Sequence, residues 1–472
     1  MKGTIMERSS DKKRPQKTAA PRPPLPEVDI LALNEEGIGV GRLGNREVWV
    51  SGALPGEKIL FAVEHKGQRR IVGTLKRILQ PHPERIPAPC PHARVCQGCP
   101  LLVLPYPAQL RFKEERVGNA MKRHPSLAAL PIEPILPAPS PLGYRTSAKL
   151  VFAKERGRVS LGLYRRGSHD VVDIGACPLH HPLLNRVVAV VKEEVERQNI
   201  FVYDENKGRG LLRYLLVRVA PDSARAMVTF VTAERNFREL IHLGKWLQRK
   251  VPEVVSVHQN INPKAGNLIL GRETLKLFGY PSLTTTVGAI RLRISPTSFF
   301  QVNHDQAAAI YALTRRWAAL STEENAIDLY CGIGGIALHL ARDAGFVLGI
   351  ESVEEAVRNA RDNAAMNDLQ NCIFRAGDAA LLMADLVGET PSGGVLTLNP
   401  PRGGCDRRVL EAAAKTAPRT LIYVSCDPET LARDLDVLSD LGFRAVTAQP
   451  VDMFPQTSHV ETVVKLTPKT KR

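Results

Sequence analysis

The chain has 472 residues, 44% of them hydrophobic, and a net charge of +16 from 64 Lys and Arg against 48 Asp and Glu. That length allows about two to four domains, no apolar run approaches the ~20 residues of a membrane span, and eight unevenly spread cysteines exclude a secreted disulfide scaffold. The charge points to a polyanion, because Lys and Arg displace the counterions condensed on phosphates, so nucleic acid is the expected partner.

Residues 1–26 form a basic, Pro-rich stretch with seven Lys/Arg against two Asp/Glu in its first 25 positions. It lacks the apolar core of a signal peptide and is expected to be a disordered tail. With reduced cysteines, this points to the cytoplasm. Residues 27–80 alternate short apolar runs with turns at Glu36-Gly37, Gly44-Asn45, Pro55-Gly56 and Lys66-Gly67. Five short strands at that spacing predict a small barrel. A Pro- and Cys-rich stretch follows to about 105, then a predicted helix over 108–124 and a second Pro-rich linker over 131–141. From 142 to about 290 the pattern is mixed strand and helix, with an amphipathic helix at 181–199 and strands at "LLRYLLVRVA" and "RAMVTFVTA". Beyond about 291, strands alternate with helices of 10–15 residues, which predicts an α/β, Rossmann-like, mainly parallel sheet. The expected domains are therefore 27–80, 81–290 and 291–472.

Four motifs carry chemistry. Asp328-Leu-Tyr330-Cys-Gly332-Ile-Gly334-Gly335 is a glycine-rich strand-to-helix turn, and Glu351 follows 19 residues after Gly332 at the end of the next strand. Glycines admit a ligand close to the backbone, and an acid there can accept from ribose hydroxyls. By itself this fits NAD, S-adenosylmethionine (SAM) or a plain tight turn. Asn399-Pro400-Pro401-Arg402 lies at the end of a later strand. Such a loop, stiffened by two prolines, is typical of SAM-dependent methyltransferases acting on nucleobases. Cys90, Cys96 and Cys99, with Cys177-Pro178 far downstream, supply four thiols. They suit a [4Fe-4S] cluster or a four-thiolate zinc site. Cys426, in "YVSCDPETLARD", stands where a strand gives out and a helix begins, a place where a thiol can be a nucleophile.

Together with "SFFQVN" (298–303), "NPPRGGCD" (399–406) and "MFPQTSHVETV" (453–463), these motifs resemble the RNA uridine-C5 methyltransferase family, in its iron–sulfur branch acting on bacterial 23S ribosomal RNA. The likeness covers nearly all of residues 27–466. It implies a TRAM-like RNA-binding barrel, a central RNA-binding domain with the cluster, and a SAM-dependent methyltransferase domain, with residues 101–135 packing on the last of these. It implies Cys426 as the thiolate that adds to carbon 6 of uracil and Glu461 as the base that later removes the carbon-5 proton. It implies Gln301, Tyr330, Gly335, Glu351 and Asp378 around SAM, with Asn399 beside them. Cys90, Cys96, Cys99 and Cys177 would hold the cluster, and the protein would act as a monomer with no membrane partner.

One position departs from the pattern. The family carries Asp where this chain has Asn399, exchanging a pure acceptor for a group that donates and accepts. Uridine stays the expected base, because nucleophile and base are both present. The Cys426 thiol is expected to be acidified by the following helix or a nearby cation. A tRNA substrate, an RNA-binding protein that kept the scaffold without the chemistry, and an electron-transfer protein using the cluster are the competing readings.

Overall fold

The structure is a computed structural model that describes residues 24–155, 157–235, 238–264, 266, 268–386 and 394–469. The tail expected over 1–26 lies outside the described residues except for 24–26. The chain divides into two compact units. One is built on Gly39–Pro81 and the strand before them; the other runs from His82 onward and takes in Leu33–Ile38.

The first unit is a closed barrel of β1 (Glu27–Leu33), β2 (Gly39–Leu43), β3 (Arg46–Ser51), β4 (Lys58–Lys66) and β5 (Arg70–Gln80), in the order β1-β2-β3-β5-β4. Alternate residues, among them Val28, Ile30, Val48, Val50, Ile59 and Phe61, point inward and fill it.

The second unit begins with a short helix α1 (Ala93–Cys96) and α2 (Tyr106–Lys122). A seven-stranded sheet then runs β12-β11-β10-β9-β6-β7-β8. Its strands are β6 (Ser147–Glu155), β7 (Arg158–Tyr164), β8 (Val171–Asp173), β9 (Leu212–Ala220), β10 (Arg225–Thr232), β11 (Val254–Ile261) and β12 (Glu273–Gly279). The two strands predicted from "LLRYLLVRVA" and "RAMVTFVTA" are β9 and β10, which pair antiparallel. Helices α3 (Pro182–Arg197) and α4 (Arg238–Lys250) bury their apolar stripes, Val187, Val191, Leu243 and Leu247 included, against this sheet.

A hairpin of β13 (Leu283–Val287) and β14 (Ile290–Ile294) leads to α5 (His304–Ala318) and an alternating run: β15 (Asn325–Leu329), α6 (Gly335–Leu340), β16 (Phe346–Glu351), α7 (Glu354–Met366), β17 (Cys372–Ala376), α8 (Ala379–Leu386), β18 (Val395–Leu398), α9 (Arg407–Lys415), β19 (Thr420–Ser425), α10 (Pro428–Asp440), β20 (Phe443–Val451) and β21 (Glu461–Pro468). The sheet order is β17-β16-β15-β18-β19-β21-β20. β15 to β19 are parallel, and β21 runs antiparallel between β19 and β20.

Side-chain alternation splits this sheet between two cores. Leu421 and Tyr423 face one side with Leu329, Leu398 and Leu435; Ile422 and Val424 face the other with Ala326, Val463 and Ile336. Strands buried on both faces need continuous apolar runs, which is what "TLIYV" supplies. Val117, Ala120, Met121, Leu127 and Ile135 belong to the first core, so α2 and the segment after it lie on the α10 side of the sheet. Val287, Ile290, Leu292 and Ile294 of the hairpin belong to the second. No helix among the described residues is long and apolar enough to cross a membrane.

Candidate active site

The order of the parallel strands reverses at β15 and β18, and their carboxyl ends form the crevice where this architecture binds ligands. After Leu329 the chain turns sharply, with positive φ at Tyr330 (62°), Gly332 (57°) and Gly334 (89°). A tyrosine in that region stores strain, a feature that gathers at functional turns. Asp328, fully buried below the turn, accepts from Ala337 N–H at 3.0 Å and from the Thr397 hydroxyl at 2.5 Å. Burial pushes its carboxyl up to about 7 against those hydrogen bonds, and the Glu351 charge adds to the push.

Glu351 ends β16. Its carboxylate accepts from Gly332 N–H at 3.1 Å and from Val353 N–H at 2.9 Å, fixing the turn to the next strand. Asp378 caps α8, accepting from the N–H groups of Ala380 and Leu381 at 2.9 and 3.1 Å. A cavity of about 150 Å³ opens here, lined by Tyr330, Glu351, Ser352, Asp378, Asp406 and Arg408 among others. Asp406 and Arg408, which sequence reasoning passed over, pair with each other at 2.8 Å. The structure thus gathers Tyr330, Glu351 and Asp378 around one cavity, whereas Gln301, Gly335 and Asn399 are not among its lining residues. Gly335 has a packing reason to be glycine: a Cβ would come 2.5 Å from the Tyr311 hydroxyl. Half-buried Asn399 holds its loop to the turn, its N–H donating to the Leu329 carbonyl at 3.3 Å.

The second half of the site lies at the end of β19. The antiparallel register pairs Val424 with Val463 and Ser425 with Thr462, so one further step sets Cys426 opposite Glu461. Glu461 is 3% exposed. Burial pushes it up to about 7, with the Arg402 guanidinium pulling the other way. No hydrogen bond to its carboxyl is formed among the described residues. Cys426 is half-buried, and its thiol is pushed up to about 11 by burial first and by the charges of Glu461 and Asp427, with Arg402 opposing. This reverses the expectation of an acidified thiol. The helix N-terminus that was to stabilise a thiolate is taken by Asp427, whose Oδ1 accepts from Glu429 and Thr430 N–H at 3.1 Å each. Arg402 is the cation near the thiol, and burial outweighs it.

α10 also holds the loop at 399–406. The Thr430 hydroxyl donates to the Arg402 carbonyl at 3.0 Å, Arg433 donates to the Gly403 carbonyl at 2.9 Å, and buried Asp434 accepts from Cys405 N–H at 2.7 Å and the Tyr423 hydroxyl at 2.5 Å. Cys405 is therefore part of the scaffold. Arg402 reaches back to His459 Nε2 at 3.4 Å, and burial and the surrounding cations keep that imidazole neutral, down to about 4.

The loop that delivers Glu461, residues 452–460, is gripped from α2. Gln109 exchanges hydrogen bonds with Gln456, receiving its N–H at 2.9 Å and donating to its Oε1 at 2.8 Å. Lys113, fully buried, pairs with fully buried Asp452 at 2.5 Å and donates to the Phe454 carbonyl at 2.9 Å. Arg116 donates to the Ser458 carbonyl at 2.9 Å. Tyr144, Asn303 and Gln306 hold Pro455, Met453 and Asp452 by their carbonyls. Sequence reasoning missed these residues. A signal was present for three of them: Gln109, Lys113 and Arg116 repeat at i, i+4 and i+7, in line with the buried Val117 and Ala120, so the core-facing stripe of α2 starts polar.

The expectation of a formed metal centre is not met by the side chains as they stand. Among the described residues no group of three or more His, Cys, Asp or Glu is close enough to hold an ion. The four cysteines are free thiols, all half-buried, and they do gather in one region. Burial pushes Cys99 up to about 12, with Cys177, Cys96 and Cys90 each adding to the effect and Arg145 opposing it. Backbone N–H groups favour the thiolates of Cys96 (from Gly98) and Cys177 (from Leu179 and His180), though burial raises both. Asn185 pins the Cys177 backbone at both N–H and carbonyl. A soft four-sulfur donor set with N–H donors and an arginine beside it is chemically suited to an iron–sulfur cluster or zinc.

The strand order with its reversed β21, the glycine-rich turn and the acid-lined cavity at the ends of β15 to β17 define a Rossmann-like SAM-dependent methyltransferase. Two family signatures match in succession: "Methyltransferase domain" over residues 320–389 and "tRNA (Uracil-5-)-methyltransferase" over 391–469. An uncharacterized RNA methyltransferase of Geobacter sulfurreducens is 47% identical over 469 residues, 98% of this chain and 95% of its own. Another, from Caldanaerobacter subterraneus subsp. tengcongensis, is 39% identical over 93% of this chain and 96% of its own. The crystal structure of Pyrococcus abyssi tRNA (uracil-54, C5)-methyltransferase in complex with S-adenosyl-L-homocysteine superposes with a TM-score of 0.73 at 26% identity, covering 93% of this chain and all of that one. The chain belongs to the tRNA/rRNA uracil-5-methyltransferase family of RNA methyltransferases, and SAM is its methyl donor.

Proposed function

We propose that the protein methylates carbon 5 of one uridine in 23S ribosomal RNA through a covalent bond to Cys426. The observation that carries this reading is the juxtaposition of Cys426 and Glu461 across β19 and β21, next to the stiff loop that ends in Arg402. Carbon 5 of uracil is too weak a nucleophile to take the methyl of SAM unaided. The Cys426 thiol gives its proton to solvent water, and the thiolate adds to carbon 6, moving the 5,6 double-bond electrons onto the carbon-4 oxygen as an enolate. Carbon 5 then attacks the SAM methyl, and S-adenosylhomocysteine leaves. Glu461 removes the carbon-5 proton, the double bond reforms and the thiolate departs. A carboxyl at about 7 is well matched to that last step near neutral pH.

Glu351 would accept from the SAM ribose hydroxyls, Asp378 from the adenine amine, and Tyr330 would line the pocket, with Gln301 and Gly335 in supporting positions. Asn399 would face the uracil edge, its carbonyl accepting from N3–H and its amide donating to O4. Cys90, Cys96, Cys99 and Cys177 would hold the [4Fe-4S] cluster, which when bound cross-links residues 90–99 to the segment at 177. Zinc in its place would be visible as one metal per chain without sulfide. The basic charge and the barrel support an RNA substrate. A tRNA target is the second reading, favoured by the Pyrococcus enzyme's substrate and full-length likeness.

Mass-spectrometric mapping of 5-methyluridine in ribosomal and transfer RNA from cells lacking the protein tests this. The expected result is one ribosomal position losing its methyl and regaining it with the native chain but not with Cys426→Ala. Methyl transferred to cytosine or adenine, and none to uridine, would overturn it.

A further inference from the structure

The β19–β21 ladder ends with the pair Ser425–Thr462. Cys426 and Glu461 therefore face each other one step past that pair. Glu461 is still held by its pairing with Val451 of β20, whereas Cys426 lies beyond the ladder, where the chain is free to fray. A contact from outside the sheet has to hold Cys426 at its distance from Glu461. Arg116 of α2 touches the chain on both sides of that gap. Its Nη1 donates to the Ser458 carbonyl at 2.9 Å, three residues before Glu461. Its Nη2 lies 3.6 Å from Asp427 Oδ2, one residue after Cys426. The arginine side chain is 9% exposed, and its Nε is buried with no hydrogen-bond partner. A buried guanidinium with an unpaired N–H carries a desolvation cost, so its two remaining contacts must hold it. One turn earlier Lys113 grips Asp452 and the Phe454 carbonyl, so the same helix holds both ends of the 452–458 segment.

We propose that Arg116 is a positioning residue that ties the exit of β19 to the entry of β21 and thereby sets the distance between the Cys426 thiol and the Glu461 carboxyl. This rests on the reading of those two residues as nucleophile and base. A planar fork is suited to the task because it fixes direction as well as charge. Arg116 also offsets the Asp427 carboxylate, one of the two negative groups facing the thiol; Glu461 is the other, and Arg402 is the facing cation.

The full-length chain is compared with Arg116→Gln, Arg116→Lys and Asp427→Asn. The readouts are kcat, KM for SAM, melting temperature, and the pH midpoint of iodoacetamide alkylation followed on the Cys426 peptide. Arg116→Gln is expected to lower kcat about 10- to 100-fold with KM for SAM within about twofold, the cost of a misplacement on the order of an ångström. Its Cys426 midpoint rises, because Asp427 loses its counter-charge. Asp427→Asn keeps a good helix cap and lowers kcat in the same range, but its midpoint falls, because the carboxylate is gone. Arg116→Lys keeps the midpoint near the native value and recovers only part of kcat. Native kcat in Arg116→Gln overturns the proposal, as does a midpoint that moves the same way in Arg116→Gln and Asp427→Asn. Should Arg116→Gln fail to fold, native kcat in both other variants overturns it. Methyl transfer by Cys426→Ala would instead overturn the reading of the nucleophile; an inactive Cys426→Ala beside a fully active Arg116→Gln overturns the clamp alone.

Discussion

Two carboxylic acids, one on β15 and one at the start of β21, are both buried and both raised to about 7, and they differ in their surroundings. Asp328 is fully buried and raised to about 7, and it holds an N–H and a hydroxyl. Glu461 is 3% exposed and also raised to about 7, yet among the described residues nothing hydrogen-bonds its carboxyl, and a thiol faces it. Burial alone therefore does not mark a functional acid. The carboxyl proposed as the base is the one buried without a partner, opposite a thiol.

Substituting the two acids should separate them most sharply. Glu461→Gln is expected to reduce turnover by about 10²- to 10⁴-fold, the usual worth of a general base. It should also trap methylated RNA on the protein, seen as a slow band on a denaturing gel. A variant that turns over normally would remove Glu461 from the mechanism. Breaking the buried Lys113–Asp452 pair gives an effect on stability of comparable weight. Lys113→Met strands the Asp452 carboxylate and is expected to cost about 3–5 kcal/mol in urea unfolding, while Lys113→Met with Asp452→Leu recovers part of it. Asp328→Ala leaves the Ala337 N–H unpaired and the Thr397 hydroxyl with only its longer contact to the Ile327 carbonyl at 3.4 Å, and should cost about 1–3 kcal/mol without any trapped adduct.

The smallest effect is in pH dependence. Both acids have folded pKa values above their ordinary range. Their stability contributions are thus fully present below about pH 4 and are lost as pH rises through about 7. The melting temperature of Asp328→Asn or Glu461→Gln, relative to the native chain, should therefore climb by a few degrees between pH 5 and 8. A flat difference would mean that burial does not shift these groups.

Much of the scaffold was legible in the sequence because it is written locally. The five short runs of 27–80 became the barrel, 108–124 became α2, and the strand–turn–helix at 325–340 formed as its glycines predict. The cavity at the ends of β15 to β17 was legible in part. Glu351 and Asp378 end successive strand units and reach the cavity, while Gly335 owes its identity to Tyr311, a neighbour 24 positions away that no turn motif reveals. The acidity of Cys426 was misjudged because burial, which the local sequence does not show, raises the thiol, and because Asp427 already occupies the helix end that should have served it. The grip of α2 on the 452–460 loop joins residues more than 300 positions apart. Only the polar start of the α2 stripe hints that something buried needs those side chains.

The position of β21 has a consequence for how the molecule assembles. It follows β20 in the chain but lies between β20 and β19, so β20, whose other edge is bonded to residues 131–136, joins the sheet only through β21. Pairings of this kind are slow, since loop entropy is lost before contacts are gained. Insertion brings Glu461 opposite Cys426 in the same step that closes the sheet edge. A chain with β21 undocked would leave the β19 edge open and Cys426 with no carboxyl opposite it. Completion of the sheet and the juxtaposition of Cys426 with Glu461 are one event.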